Sequence, residues 1–182
     1  LIVATNQNDI LHRAISKGNY QAEKVSETIS PSMDIQIASN FERLIFDLNN
    51  KDDVQTSKDM ENIKEFGNYA LDNNKLSKIN ENFLSARMSE KETLEIISSV
   101  YKKFNVVLDP HTAIGYGAFD KHNLSGNNIV LGTAHPSKFP DAVFRAIKTN
   151  ADLPSELVFI LDEKENYDVI ENDVEKVKKH IK

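Results

Sequence analysis

The side chains best suited to chemistry crowd into residues 132–140, Gly132-Thr133-Ala134-His135-Pro136-Ser137-Lys138-Phe139-Pro140. Two hydroxyls, an imidazole and an ammonium share one short turn. Pro136 and Pro140 stiffen it, because each fixes its own φ and restricts the residue before it. A fixed loop with several polar tips suits a binding or catalytic site. A stiff connector whose tips face water has the same composition, and both readings stand at this point.

The flanking elements must position that turn. Asn128-Ile129-Val130-Leu131 reads as a buried strand, and 141–148 as a helix with Val143, Phe144 and Ile147 on one side. The turn then lies at the carboxyl end of a strand, where open α/β sheets bind ligands. The same order of strand, polar turn and helix recurs twice. Residues 1–5 read as a strand, followed by the capping-type cluster Asn6-Gln7-Asn8-Asp9. A helix with Ile10, Leu11, Ala14 and Ile15 then runs to a stop at Gly18. Val106-Val107-Leu108 reads as a short strand ending in Asp109-Pro110-His111-Thr112, with a helix from Ala113 onward. The small residues Ala113, Gly115, Gly117 and Ala118 predict close packing of that helix. His111 is either a ligand or a satisfied structural histidine. Leu157-Val158-Phe159-Ile160-Leu161 reads as a further strand, and Ile170, Val174, Val177 and Ile181 as the apolar face of a terminal helix.

Two more stretches carry candidate groups. In Thr28-Ile29-Ser30-Pro31-Ser32-Met33-Asp34-Ile35, a proline sits among hydroxyls and a carboxylate, as in a turn. Ser39-Asn40-Phe41-Glu42 reads as a capping box opening a helix with Phe41, Leu44, Ile45 and Leu48 inward. Arg43 falls in the first turn of that helix, where a cation opposes the helix dipole unless it meets a bound anion. A surface arginine is the plain alternative. Ser89-Glu90-Lys91-Glu92 is a second capping box, and the middle third of the chain reads as mostly helical, without a strong strand.

Composition narrows the class. An apolar fraction of 40% with five prolines fits a globular α/β protein. No apolar run nears the ~18 residues that cross a bilayer, so no membrane role is expected. The net charge of −6 argues against a nucleic-acid partner. The absence of cysteine fits a reducing compartment, so a cytoplasmic location is expected. No Gly-rich phosphate loop, HExxH or GxSxG occurs. The 182 residues open on Leu1, in what reads as a strand already under way, so a piece of a longer protein is expected.

Five segments together resemble threonine synthase, in that family's order and at about its spacing. They are Ala4-Thr5-Asn6-Gln7-Asn8-Asp9-Ile10, Ser30-Pro31-Ser32-Met33-Asp34-Ile35, Ser39-Asn40-Phe41-Glu42-Arg43, Leu108-Asp109-Pro110-His111-Thr112-Ala113, and the stretch from Thr133 to Pro140. The resemblance implies part of a tryptophan-synthase-β-like, fold type II α/β enzyme. Its cofactor would be pyridoxal 5'-phosphate, its substrate O-phospho-L-homoserine, and its products L-threonine and phosphate. It implies that 1–35 and 106–182 belong to the large cofactor domain and 36–105 to a mostly helical insertion. Thr133 is similar to the family's hydroxyl partner of the pyridine nitrogen. Ser32, Asp34, Asn40 and Arg43 resemble substrate-side elements, with Lys138 a second candidate for the substrate phosphate. The family's Schiff-base lysine sits in an upstream Phe-Lys-Asp-type motif, and no Phe-Lys-Asp occurs here. The expectation is a far wall of the active site, inactive alone and completed by the remainder of its own chain. The alternative from another class is a non-catalytic α/β module that binds a phosphorylated metabolite or a protein partner.

Overall fold

A computed structural model describes every residue from Leu1 to Lys182, in two units, Leu1–Ala151 and Asp152–Lys182. In the first unit, β1 (Ile2–Thr5) leads to α1 (Ile10–Lys17), whose Ile10, Ala14 and Ile15 are buried as their spacing predicts. Gly18 ends the helix at φ 70°, and its N–H returns to the last carbonyls. A Cβ there would lie 2.9 Å from the Leu71 carbonyl oxygen, so space and φ both call for glycine. β2 (Asn19–Gln21) pairs antiparallel with β3 (Asn68–Ala70). Between them lie α2 (Phe41–Leu48) and α3 (Asp53–Phe66). After α4 (Asn73–Asn80) the chain returns as β4 (Leu84–Arg87), parallel to β1, with Ile2 opposite Leu84 and Thr5 opposite Arg87. The reading of a middle third without a strand is corrected here. Leu84-Ser85-Ala86-Arg87 is weak in strand-forming types, and its extended form comes from the ladder with β1.

One apolar core joins α1, α2, α3 and the β2–β3 pair through Ile15, Tyr20, Ile45, Leu48, Ile63 and Tyr69. The Tyr20 ring stacks on Phe41 at 4.8 Å, and its hydroxyl accepts the Ala38 N–H at 2.7 Å. Tyr20 thereby fixes the start of α2, which carries Asn40 and Arg43. Further on, α5 (Glu90–Phe104) packs on α6 (Pro110–His122) and α7 (Pro140–Ile147), and α6 also lies against β1 and β4. Gly117 leaves room for the Met88 side chain, whose flexible tip would have to shift to admit a Cβ there.

Three expected strands are absent. Residues 106–108 and 128–131 are irregular, and Ile129 and Leu131 are 89% and 75% exposed. A strand exists through its ladder, and β1 and β4 bond only each other. In the second unit, the run expected as a strand forms the 3₁₀ segment Ser155–Asp162. A short apolar run has no periodicity that separates strand from helix. The terminal helix, α8 (Val174–Ile181), starts after Ile170, is capped by Asp173, and gathers Lys178, Lys179 and His180 at its last turn as the dipole favours. No helix is long and apolar enough to cross a membrane.

Candidate active site

The turn 132–140 sorts its polar tips into two kinds. His135 and Ser137 engage each other: their Nδ1 and Oγ atoms lie 2.7 Å apart, and His135 Nδ1 accepts the Ser137 N–H at the start of the 3₁₀ turn Pro136–Lys138. The Thr133 hydroxyl and the Lys138 ammonium have no partner in the chain, and both residues are exposed.

Both ends of this turn rest on the first turn of α6. Asp109 is the N-cap and Pro110 the first helical residue. The Asp109 side chain is fully buried. Its Oδ1 accepts the His111 N–H and faces His111 Nδ1, each at 2.9 Å. Its Oδ2 accepts the Thr112 N–H at 3.3 Å and the Thr112 hydroxyl at closer range. The Thr112 oxygen in turn accepts the Thr133 N–H at 3.1 Å. At the far end, the Phe139 ring packs on His111 with centroids 4.8 Å apart. With Nδ1 donating to the carboxylate, His111 is held in place, and its Nε2 is buried without a partner. The sequence pattern placed this helix too late and left Asp109 and Thr112 as plain turn residues. The overlooked signal is an aspartate directly before a proline, the residue pair that opens a capped helix.

Asp34 occupies a comparable position in the segment 26–34. Its Oδ1 accepts from Asn6 Nδ2 at 2.7 Å, Asn8 Nδ2 at 2.9 Å and the Thr28 hydroxyl at 2.7 Å. Its Oδ2 accepts the Thr28 N–H at 2.8 Å. Asn6 and Asn8 therefore do not cap α1, whose N-cap is Asp9, with no side-chain capping bond. Asp34 holds the loop together, while Ser32 stands exposed and unpartnered on the 3₁₀ turn Pro31–Met33. Thr28 and Pro31 face Lys138 and Phe139 across a cavity of about 380 Å³. Two segments singled out by sequence thus meet. Arg145 lines the same cavity but is paired with Glu90 at 2.7 Å.

The start of α2 differs from the expected capping box. Its N-cap is Asn40, at helical φ −68° and ψ −19°, and no side chain caps it. A cap needs an extended N-cap backbone to aim its oxygen at the N2 or N3 amide. Ser39, Asn40 and Arg43 consequently make no side-chain bonds, and they line a cavity of about 690 Å³ with Asp47 and Thr56. That cavity shares no lining residue with the one at Lys138. The Ser89–Glu92 box, by contrast, is complete, and its Ser89 has the extended backbone a cap requires. Lys121 at 2.7 Å, together with Ser89, holds the Glu92 carboxyl down at about 2.

This arrangement has counterparts of known family. A sequence profile described as "Threonine synthase, C-terminal" matches residues 112–181. Threonine synthase of Pseudomonas aeruginosa is 39% identical over 97% of this chain and 38% of its own length. That of Saccharomyces cerevisiae is 37% identical over the whole chain and 40% of its own length. Among solved structures, a PLP-bound threonine synthase from Brucella melitensis superposes with a TM-score of 0.90 at 40% identity, over all of this chain and 39% of that one. The yeast enzyme superposes with a TM-score of 0.85 at 36% identity. The chain spans about two fifths of the length of these relatives. Sequence and fold agree along its full extent, and the chain is similar throughout to the C-terminal part of threonine synthases.

Proposed function

We propose that this chain is the C-terminal part of a pyridoxal-phosphate-dependent threonine synthase, which converts O-phospho-L-homoserine and water to L-threonine and phosphate. The observation that carries the reading is the unpartnered Thr133 hydroxyl, projecting from a turn clamped at both ends. A group held so firmly yet left unbonded fits a ligand that completes it. Pyridoxal phosphate fits: its ring nitrogen needs one neutral donor, and the Thr133 hydroxyl is one. When bound, the cofactor supplies an electron sink for carbanions of the amino-acid substrate.

The remaining roles belong to the chain's own side chains. Thr133 donates to the pyridine nitrogen and, being neutral, leaves it largely unprotonated, which suits elimination and replacement. Arg43 is the first candidate for the substrate phosphate, because it makes no ion pair and stands beside the free Ser39 hydroxyl and Asn40 amide, in a cavity that Glu42, Asp47 and Asp53 also line. Lys138, beside the cavity under the Pro31 turn, is the second candidate. Asn40 supplies a neutral hydrogen bond beside Arg43, Ser32 supplies one from the exposed Pro31–Met33 turn, and Asp34 acts on the substrate side by holding the loop that carries Ser32. The Schiff-base lysine and the phosphate cradle come from the remainder of the protein, so the 182-residue chain alone is inactive. The enzyme works in the cytoplasm, with a small-molecule substrate and no nucleic-acid partner. The test is to load the complete protein with pyridoxal phosphate, add O-phospho-L-homoserine, and measure threonine and phosphate. Equimolar release that depends on the cofactor is expected; a cofactor-loaded protein that releases no phosphate would overturn the reading.

A further inference from the structure

We infer that Asp109, acting through the Thr112 hydroxyl, is a positioning residue that fixes the backbone from which the Thr133 hydroxyl meets the cofactor. The inference rests on the reading of Thr133 given above. A carboxylate can only accept, so the single proton of the Thr112 hydroxyl is committed to Asp109 Oδ2. The Thr112 oxygen is left as a pure acceptor, polarised by the charge behind it, and it takes the Thr133 N–H at 3.1 Å. The other carboxylate oxygen holds His111 Nδ1 at 2.9 Å, and that ring carries Phe139. One buried carboxylate thus orders both ends of the turn. Ordinary capping does not require this, since Asp109 already bonds the backbone N–H groups of His111 and Thr112. Being fully buried, Asp109 cannot touch a ligand itself and must act through these neighbours.

The test is a double-mutant cycle in the complete enzyme, read as the pyridoxal-phosphate dissociation constant by absorbance titration, with the melting temperature of the cofactor-free protein alongside. Thr112→Val should weaken cofactor affinity about tenfold in the wild-type background, the size of one lost polar contact. In the Thr133→Val background it should weaken affinity less than about twofold, because the group it positions is already gone. Thr112→Ser, which keeps the hydroxyl, should stay within about twofold of wild type. If Thr112→Val does not purify folded, Asp109→Asn, of equal size, replaces it in the same cycle. Equal losses in both backgrounds, no loss at all, or a serine variant as weak as valine would overturn the inference. If Thr133→Val alone leaves affinity unchanged, the proposed cofactor contact fails and this inference with it. A normal Thr133→Val effect with additive Thr112→Val losses removes this inference only.

Discussion

Asp34 and Asp109 each accept four hydrogen bonds from nearby side chains and backbone, yet the two networks end differently. Around Asp34, donors from Asn6, Asn8 and Thr28 converge on the carboxylate and tie residues 6–8 to the segment 26–34. Around Asp109, the order is passed on: Thr112 donates its hydroxyl to Asp109 and accepts the Thr133 N–H, while the Thr133 hydroxyl itself stays open. A closed polar network makes scaffold, whereas an open one delivers a held but unsatisfied group to something outside the chain. The same distinction separates the two helix starts. Ser89 and Glu92 satisfy each other completely, while Ser39, Asn40 and Arg43 are left free.

The largest effect should come from breaking the closed network. Asp34→Ala removes the acceptor on which Asn6, Asn8 and Thr28 converge in a partly buried place, leaving each with fewer partners and costing about 3 kcal/mol. The urea midpoint of the complete protein should fall, with early proteolytic cleavage within 24–36. A midpoint equal to wild type would show that the loop does not depend on this carboxylate. Next comes Arg43→Ala. Losing a charge-assisted contact costs about 1.5–3 kcal/mol, so KM for O-phospho-L-homoserine should rise about ten- to a hundredfold while the melting temperature holds. An unchanged KM would return Arg43 to the surface and move the phosphate site to Lys138.

The smallest effect concerns the satisfied helix start. The folded Glu92 pKa lies at about 2, below its ordinary 4.5. The unfolded chain therefore takes up the proton first on acidification. The contribution of Glu92 is fully present above pH 4.5 and is lost as pH falls toward about 2. Glu92→Gln should flatten the stability–pH curve in that window and leave it parallel to wild type at neutral pH. A slope equal to wild type between those values would contradict the capping account.

Much of this organisation was legible in the sequence, and the exceptions share a cause. The faces of α1 and α2, the Gly18 stop and the Ser89 box follow from local spacing and local capping chemistry, and the structure has them. The strands expected at 106–108 and 128–131 find no ladder partner among these residues, and β4 exists because β1 provides one. Ser39-Asn40-Phe41-Glu42 has the letters of a capping box, but the stack of Tyr20 on Phe41 and the bond from Ala38 to the Tyr20 hydroxyl accompany a helical backbone at Asn40 that defeats the cap. Of the candidate site residues, Thr133 and Lys138 stand out through their polar turn and the family resemblance, and their roles remain proposals. The support beneath them escaped because Asp109 and Thr133 lie far apart in sequence and meet only through Thr112.

The central claim, that the Thr133 hydroxyl is the open end of the Asp109 network and meets the cofactor, is tested most directly by Thr133→Val in the complete enzyme. Valine keeps the shape and the backbone N–H bonded to Thr112, and removes only the hydroxyl. The orphaned acceptor should cost about 1–3 kcal/mol, weakening pyridoxal-phosphate affinity and lowering kcat at saturating cofactor, with the melting temperature of the cofactor-free protein unchanged. Wild-type affinity and wild-type turnover in this variant would contradict the account.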